Sequence, residues 1–213
     1  MPEFKRIPKH IGIIPDGNRR WAVSQDKNKD EGYAHGILPG VDLADLMTKY
    51  GITEATFYGF TKDNNKRPKE QRLAFTQACV ESVQAVANKD ANILVIGNTD
   101  SPLFPPELLP YANKRVTFGK GLINLNFLIN YDWKSDLESG VRAGDLSHIQ
   151  SKDISRMDLI IRWGGKRRLS GFLPIQSVYS DFYVVDKLWP DYASQDFIDA
   201  LDYYQTCDPT LGG

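Results

Sequence analysis

The chain has 213 residues, 41% of them hydrophobic and 25% charged, with a net charge of −1 at neutral pH. That size and balance suit one globular domain spanning 1–213 with a substantial core. The near-zero charge excludes a global positive field of the kind that draws in nucleic acid or an anionic membrane, so any anion site must come from local clustering.

The opening MPEFKRIPKH lacks a signal-peptide apolar core, and no apolar run approaches the ~20 residues of a membrane span, which points to a cytoplasmic protein. Cys79 and Cys207 have no CxxC spacing and read as idle thiols in a reducing compartment. His10, His35 and His148 make no metal-ligand pattern.

In chain order, a strand at 10–14 (HIGII) stops at Pro15, and helical patterns follow at 18–26 and 40–50. A strand at 55–60 (ATFYGF) leads through a polar loop into a long helix at 68–88. Next come a strand at 92–97 (NILVIG), a helix at 105–114, a strand at 122–130 (LINLNFLIN) and a helix at 135–143. Strands at 158–163 (DLIIRW) and 181–186 (DFYVVD) and a helix at 194–206 complete the pattern. Near-continuous apolar strands alternating with helices predict an α/β fold: a single domain with an open, mostly parallel six-stranded sheet flanked by helices. In such sheets ligands sit beyond the carboxyl ends of the strands.

Three polar clusters fall there. After the first strand come Asp16, Gly17, Asn18, Arg19, Arg20 and Trp21. Gly17 allows close backbone approach, Arg20 offers a planar fork for phosphate oxygens, and Asp16 makes sense beside a phosphate if Mg²⁺ bridges them. Asp-Gly-Asn alone is more plainly a helix cap; here the density of features favours a metal-diphosphate site. After the second strand, Thr61, Asp63, Asn64 and Arg67 occupy one loop before Pro68; alone this is a capped polar turn. After the fifth strand, Arg162, Lys166, Arg167, Arg168 and Ser170 surround Gly164-Gly165 and lead into a short helical stretch, FLPIQS, which together describe a polyphosphate cradle. Asp181 opens the sixth strand as a further carboxylate. On the helix at 68–88, Leu73, Val80, Val83 and Ala87 share a face that Phe75, Cys79 and Val86 widen, the pattern of a core stripe or of an apolar tunnel wall.

DGNRRWA, FTKDNNKRP, DLIIRWGGKRRLSGFLPIQSVYSDFY and LWPDY, in this order, resemble the cis-prenyltransferases, the undecaprenyl diphosphate synthase family. The resemblance covers nearly the whole chain. It implies a six-stranded parallel sheet, a homodimer, Mg²⁺, and Z-selective condensation of an allylic diphosphate with isopentenyl diphosphate, with possible peripheral membrane association through the product and no role for nucleic acid. Carried over residue by residue, Asp16 matches the metal-linked acid, and Asn18 and Arg20 match an amide and an allylic-diphosphate arginine. Thr61 and Asn64 stand near the reacting carbons. Arg162, Arg168 and Ser170 match holders of isopentenyl diphosphate, and Asp181 matches a glutamate implicated in metal and substrate binding.

The departures are specific. Tyr33 takes the place of a histidine in GHxxG, which reads GYAHG here, and Lys29 takes that of an arginine just upstream. Asn65 replaces a tryptophan, Lys166 an acidic residue, and Thr210 the arginine of a terminal Arg-x-Gly, although Gly212 and Gly213 are kept. The stretch from Arg67 to Gly97 and that before the fifth strand are shorter than in long-chain members, which implies a short or medium product. Two alternatives stay open: an irregular head-to-middle synthase of lavandulyl type, and a non-catalytic partner subunit, against which Asp16, Asn18 and Arg20 weigh.

Overall fold

The computed structural model describes residues 2–208, so the Thr210, Gly212 and Gly213 of the terminal motif lie outside the described residues. Its strands are β1 (His10–Ile14), β2 (Glu54–Tyr58), β3 (Ala91–Ile96), β4 (Val116–Thr117), β5 (Ile123–Leu128), β6 (Leu159–Trp163) and β7 (Asp181–Val185). The helices are α1 (Asn18–Ser24), α2 (Ile37–Lys49), α3 (Lys69–Val86), α4 (Trp133–Ala143) and α5 (Ser194–Thr206).

The strands form one sheet in the order β4-β3-β5-β2-β1-β6-β7, parallel throughout except for β4 on β3. All five residues of β1 and of β6 are buried, which is why both read as unbroken apolar runs. Alternation sends Ile11 and Ile13 into a core with Leu43 and Met47 of α2, Val80 and Val83 of α3, and Phe197 and Leu201 of α5. Ile14 faces the opposite core, with Met157, Ile160, Phe172 and Leu173. Gly12 is required there: a Cβ on it would lie 2.5 Å from the Phe172 ring and 2.6 Å from the Met157 sulfur. Phe172, fully buried against that bare strand, contributes about 1.5–3 kcal/mol and anchors the loop that follows β6.

Four expectations need correction. A seventh strand exists: β4 has two residues, too few to leave a periodic pattern, and pairs antiparallel with Asn92 and Ile93 at the sheet edge. The helix expected at 105–114 is a 3-10 segment, Pro106–Tyr111, because Pro105, Pro106 and Pro110 remove the donors that an α-helix would need. The stretch FLPIQS forms successive turns rather than a helix. Leu73 leaves the α3 core stripe and is 60% exposed, whereas Val80, Val83 and Ala87 are buried.

Parallel pairing aligns Ile14 of β1 with Arg162 of β6 and Ile13 with Phe57 of β2, so the chain leaves all three strands along one edge. The opposite edge is closed by a buried polar network. His10 takes the Thr56 hydroxyl on Nε2 at 2.8 Å and meets the Ser155 carbonyl through Nδ1 at 2.9 Å; since a carbonyl only accepts, Nδ1 carries the proton. Glu54 accepts from Asn126 and from the Ser155 hydroxyl, each at 2.7 Å. Burial depresses the His10 pKa, so the folded state disfavours its charged form, and the stability it contributes is held at neutral pH and lost as pH falls below the ordinary histidine value. His10→Ala should therefore cost about 1–3 kcal/mol at pH 7.5. Urea unfolding of both proteins should show the gap narrowing at pH 5.5.

Candidate active site

The segment after β1 is bent sharply. The Asp16 amide bonds to the Ile14 carbonyl at 3.0 Å, and Gly17 sits at φ 120, where a Cβ would lie 2.9 Å from Leu188. α1 then starts at Asn18 and lasts seven residues, shorter than expected. Its side chains do more than its terminus. Arg20 donates to the Gly164 carbonyl at 2.9 Å and lies 3.5 Å from the Asp16 carboxylate, and Asn18 donates to the Pro15 carbonyl at 3.2 Å.

Arg162 is the hub. It ends β6 only 4% exposed, and its Nη2 donates to Asp16 at 2.8 Å. Its Nη1 donates to the Arg168 carbonyl and to the Ser170 hydroxyl, the latter at 3.1 Å. One guanidinium thus fixes the carboxylate after β1 and the far end of the basic turn after β6. Gly164 and Gly165 make that turn at φ 88 and 68. Tyr58, at the end of β2, donates its hydroxyl to the Ser170 carbonyl at 2.8 Å and ties the same loop to a third strand.

In the loop after β2, Asn64 accepts the Thr61 amide at 3.0 Å, closing a 3-10 turn over Lys62–Lys66. Arg67 leaves it and donates to the Tyr33 hydroxyl at 2.9 Å. Tyr33 in turn stacks on Phe75 of α3, centroids 4.6 Å apart and planes within 7°. Burial pushes the Tyr33 phenol upward in pKa, so it stays a neutral acceptor for that guanidinium.

These segments enclose a polar pocket of about 660 Å³. From the first cluster it takes Asp16, Gly17, Asn18, Arg19 and Arg20; from the second, Thr61, Asn64 and Arg67; from the third, Arg162, Arg168 and Ser170. Lys29 and Tyr33 complete the predicted set. Arg167 of the third cluster is not part of the lining, and Trp21 and Asp181 stand apart from it. Trp21 turns away, packing on His35 with centroids 4.4 Å apart and donating to Asp191 at 2.7 Å. Asp181 pairs in register with Leu159 at the start of β7, and its amide bonds to the Asp158 carbonyl, so within one chain it lies at the far end of the strands from Asp16. Tyr58, outside the three sequence clusters, also belongs to the site; its signal in the sequence is a polar-tipped ring on the last residue of a strand that points at the ligand edge.

A second, apolar cavity of about 70 Å³ lies between the sheet and α3, lined by Phe57, Cys79, Val86, Phe127 and Ile129. Pro15, Asn18, Tyr33, Tyr58, Gly59 and Phe75 line both spaces, so the two meet there.

The residues present fit a hard divalent cation held jointly with a substrate. Asp16 and Asp63 are the carboxylates of the pocket, and Asp63 is engaged with Lys66 at 3.0 Å. A carboxylate offers about four lone-pair sites, so the arginines leave Asp16 room for a cation completed by phosphate oxygens.

The model of a family described as putative undecaprenyl diphosphate synthase matches residues 14–212. The (2E,6E)-farnesyl-diphosphate-specific ditrans,polycis-undecaprenyl-diphosphate synthase of Buchnera aphidicola is 32% identical, over 98% of this chain and 94% of that protein. Its Escherichia coli K12 namesake is 30% identical, over 100% and 94% respectively. The alignments run over 237 and 241 positions, so these relatives carry residues that this chain lacks. Among solved structures, lavandulyl diphosphate synthase from Lavandula x intermedia, in complex with dimethylallyl diphosphate, matches with TM-score 0.83 at 23% identity, over 97% of this chain and 98% of that one. That likeness shows the fold.

The diglycine turn is under the tightest constraint. A Cβ on Gly164 would lie 2.5 Å from Arg20 Nη2 and 3.0 Å from the Asp16 carbonyl, at a φ that side chains avoid. Gly164→Ala should destabilise the fold by about 1–3 kcal/mol in urea unfolding and weaken binding of inorganic diphosphate, read by calorimetry.

Proposed function

The chain belongs to the family described as putative undecaprenyl diphosphate synthase and is a prenyltransferase, and on that premise we propose that it is a Mg²⁺-dependent cis-prenyltransferase acting on isopentenyl diphosphate and an allylic diphosphate. The observation that carries the reading is a cation-lined polar pocket centred on Asp16 that opens at one rim into an apolar cavity. A molecule with a charged diphosphate head and a hydrocarbon tail fits that pairing.

Arg20, with Arg19 and Arg67, holds the allylic diphosphate, and the shared rim directs its prenyl tail towards the apolar cavity. Arg162, Arg168 and Ser170 hold isopentenyl diphosphate across the pocket. Mg²⁺, bound by Asp16 with diphosphate oxygens, would neutralise charge that builds on the departing diphosphate. When the allylic C–O bond breaks, the arginines stabilise that same charge in place, without reorganising. The alkene of isopentenyl diphosphate then bonds to the allylic carbon, and the proton lost from the neighbouring carbon goes to the released diphosphate. Asn18, Thr61 and Asn64 stand nearest the reacting carbons as polar positioning groups. Asp181 takes no part in this assignment within one chain, and the metal rests on Asp16. The shorter segments of this chain favour a short to medium Z-prenyl product.

A homodimer suits an exposed apolar face. Leu146, Ile175, Val178 and Tyr179 line one cleft with Lys152 and Arg156, and Val178 is 63% exposed. No helix among the described residues is long and apolar enough to cross a membrane. We place the enzyme in the cytoplasm, with its apolar product drawing it towards a membrane surface.

The purified protein, with Mg²⁺ and dimethylallyl, geranyl or farnesyl diphosphate, should give Z-configured elongation products only when isopentenyl diphosphate is present. Asp16→Ala should lower turnover more than 100-fold while far-UV circular dichroism stays unchanged. A branched dimer from dimethylallyl diphosphate alone would assign irregular coupling instead, and full activity in Asp16→Ala would overturn the site. Val178→Asp should convert the dimer to monomer in light scattering after size exclusion.

A further inference from the structure

The rim between the two spaces, which turns the prenyl tail towards the apolar cavity in the proposed function, is built on a tightly held pair of rings. Tyr33 and Phe75 line both the polar pocket and the apolar cavity, stacked face to face at 4.6 Å. Phe60, itself fully buried, sets its ring edge against Phe75 at 5.5 Å and backs the stack from the core. On the pocket side Arg67 bonds to the Tyr33 hydroxyl at 2.9 Å and lies 5.2 Å from the centre of the Phe75 ring. The stack is therefore held on both sides, by packing behind and by a guanidinium in front.

Size makes this consequential. The cavity beyond the rim is about 70 Å³, whereas an apolar cavity of about 150 Å³ is what accommodates a single benzene. By that measure even the five carbons of one isoprene unit press on the walls, and ten or fifteen exceed the space several times over. A longer tail needs Tyr33 and Phe75 to part, which breaks the stack and strains the bond to Arg67.

We propose that Tyr33 and Phe75, locked by Arg67, form a partition that selects the allylic primer by tail length, favouring the five-carbon dimethylallyl diphosphate over ten- and fifteen-carbon primers. The inference rests on the reading of the protein as a prenyltransferase that uses isopentenyl diphosphate. It assigns Tyr33, a departure from the family pattern, to specificity and not to chemistry. Phe75 acts with it through the stack.

The test compares kcat/KM for dimethylallyl and farnesyl diphosphate, with isopentenyl diphosphate and Mg²⁺, in wild type, Phe75→Val and Tyr33→Leu. Wild type should favour dimethylallyl diphosphate at least tenfold. Each variant that retains its far-UV circular dichroism should shift the ratio at least tenfold towards farnesyl diphosphate and give products of higher mass. Inorganic diphosphate, which needs only the polar pocket, should bind Phe75→Val within threefold of wild type. A wild type that prefers farnesyl diphosphate, or folded variants whose ratio moves less than twofold, overturns the partition and leaves the prenyltransferase reading standing. No turnover of any primer by wild type overturns that reading, and the partition with it.

Discussion

The site depends on one buried cation. Arg162 is almost wholly removed from water, and a guanidinium in that position must be paired and hydrogen-bonded or it destabilises the fold. Its partners come from both flanking loops: the Asp16 carboxylate after β1, and the Arg168 carbonyl and Ser170 hydroxyl after β6. Stability and site geometry are thus the same requirement. Asp16 is itself a third exposed, so the pair is only half buried, and drift of either loop is opposed by the cost of leaving Arg162 short of hydrogen-bond partners.

Sheet order explains why this one arginine can reach so much. β1 lies between β2 and β6, and all three run parallel, so the loops that leave them start side by side. Tyr58 bridges from the end of β2 to the Ser170 carbonyl, and Arg20 bridges from α1 to Gly164. Each tie joins segments more than a hundred residues apart in sequence. The loops gain precision from the strands rather than from their own regular structure.

Much of this was legible in the sequence where burial on both faces produced unbroken apolar runs: β1 lies where HIGII predicts it, and the start of β7 is Asp181 as expected. β4 and the 3-10 segment Pro106–Tyr111 were not, because two residues carry no period and prolines imitate helix punctuation without permitting the helix. The polar pocket was legible as clusters at strand ends. What composition and motif order leave undetermined is direction. Trp21 lies in the richest motif, yet its ring lies over His35; Asp181 follows the third cluster in sequence, yet the strand it opens starts at the opposite edge. The rim was the least visible feature, since Tyr33 and Phe75 are forty-two positions apart and only the packing of α3 makes them one surface.

The two ends of the sheet also show what separates a structural polar cluster from a binding site. At the closed edge, the charged and titratable groups find partners within the chain: Glu54 takes Asn126 and Ser155, and His10 sits neutral between Thr56 and Ser155. At the open edge, Arg19, Arg20, Lys29, Arg67, Arg162, Lys166 and Arg168 line the pocket against Asp16 and Asp63 alone. A chain of net charge −1 has thus gathered a local positive excess that its own acids do not neutralise. Low-dielectric walls focus such a field into the cleft and raise the local concentration of anions there. The excess is tolerable while the cleft is open to water, which solvates the exposed arginines. It becomes strongly favourable when a polyanion displaces that water. The apolar cavity behind the rim is lined by no charged residue. On the proposed reading, head and tail of one substrate would be tested separately, by electrostatics at the pocket and by volume beyond the rim, and neither test would substitute for the other.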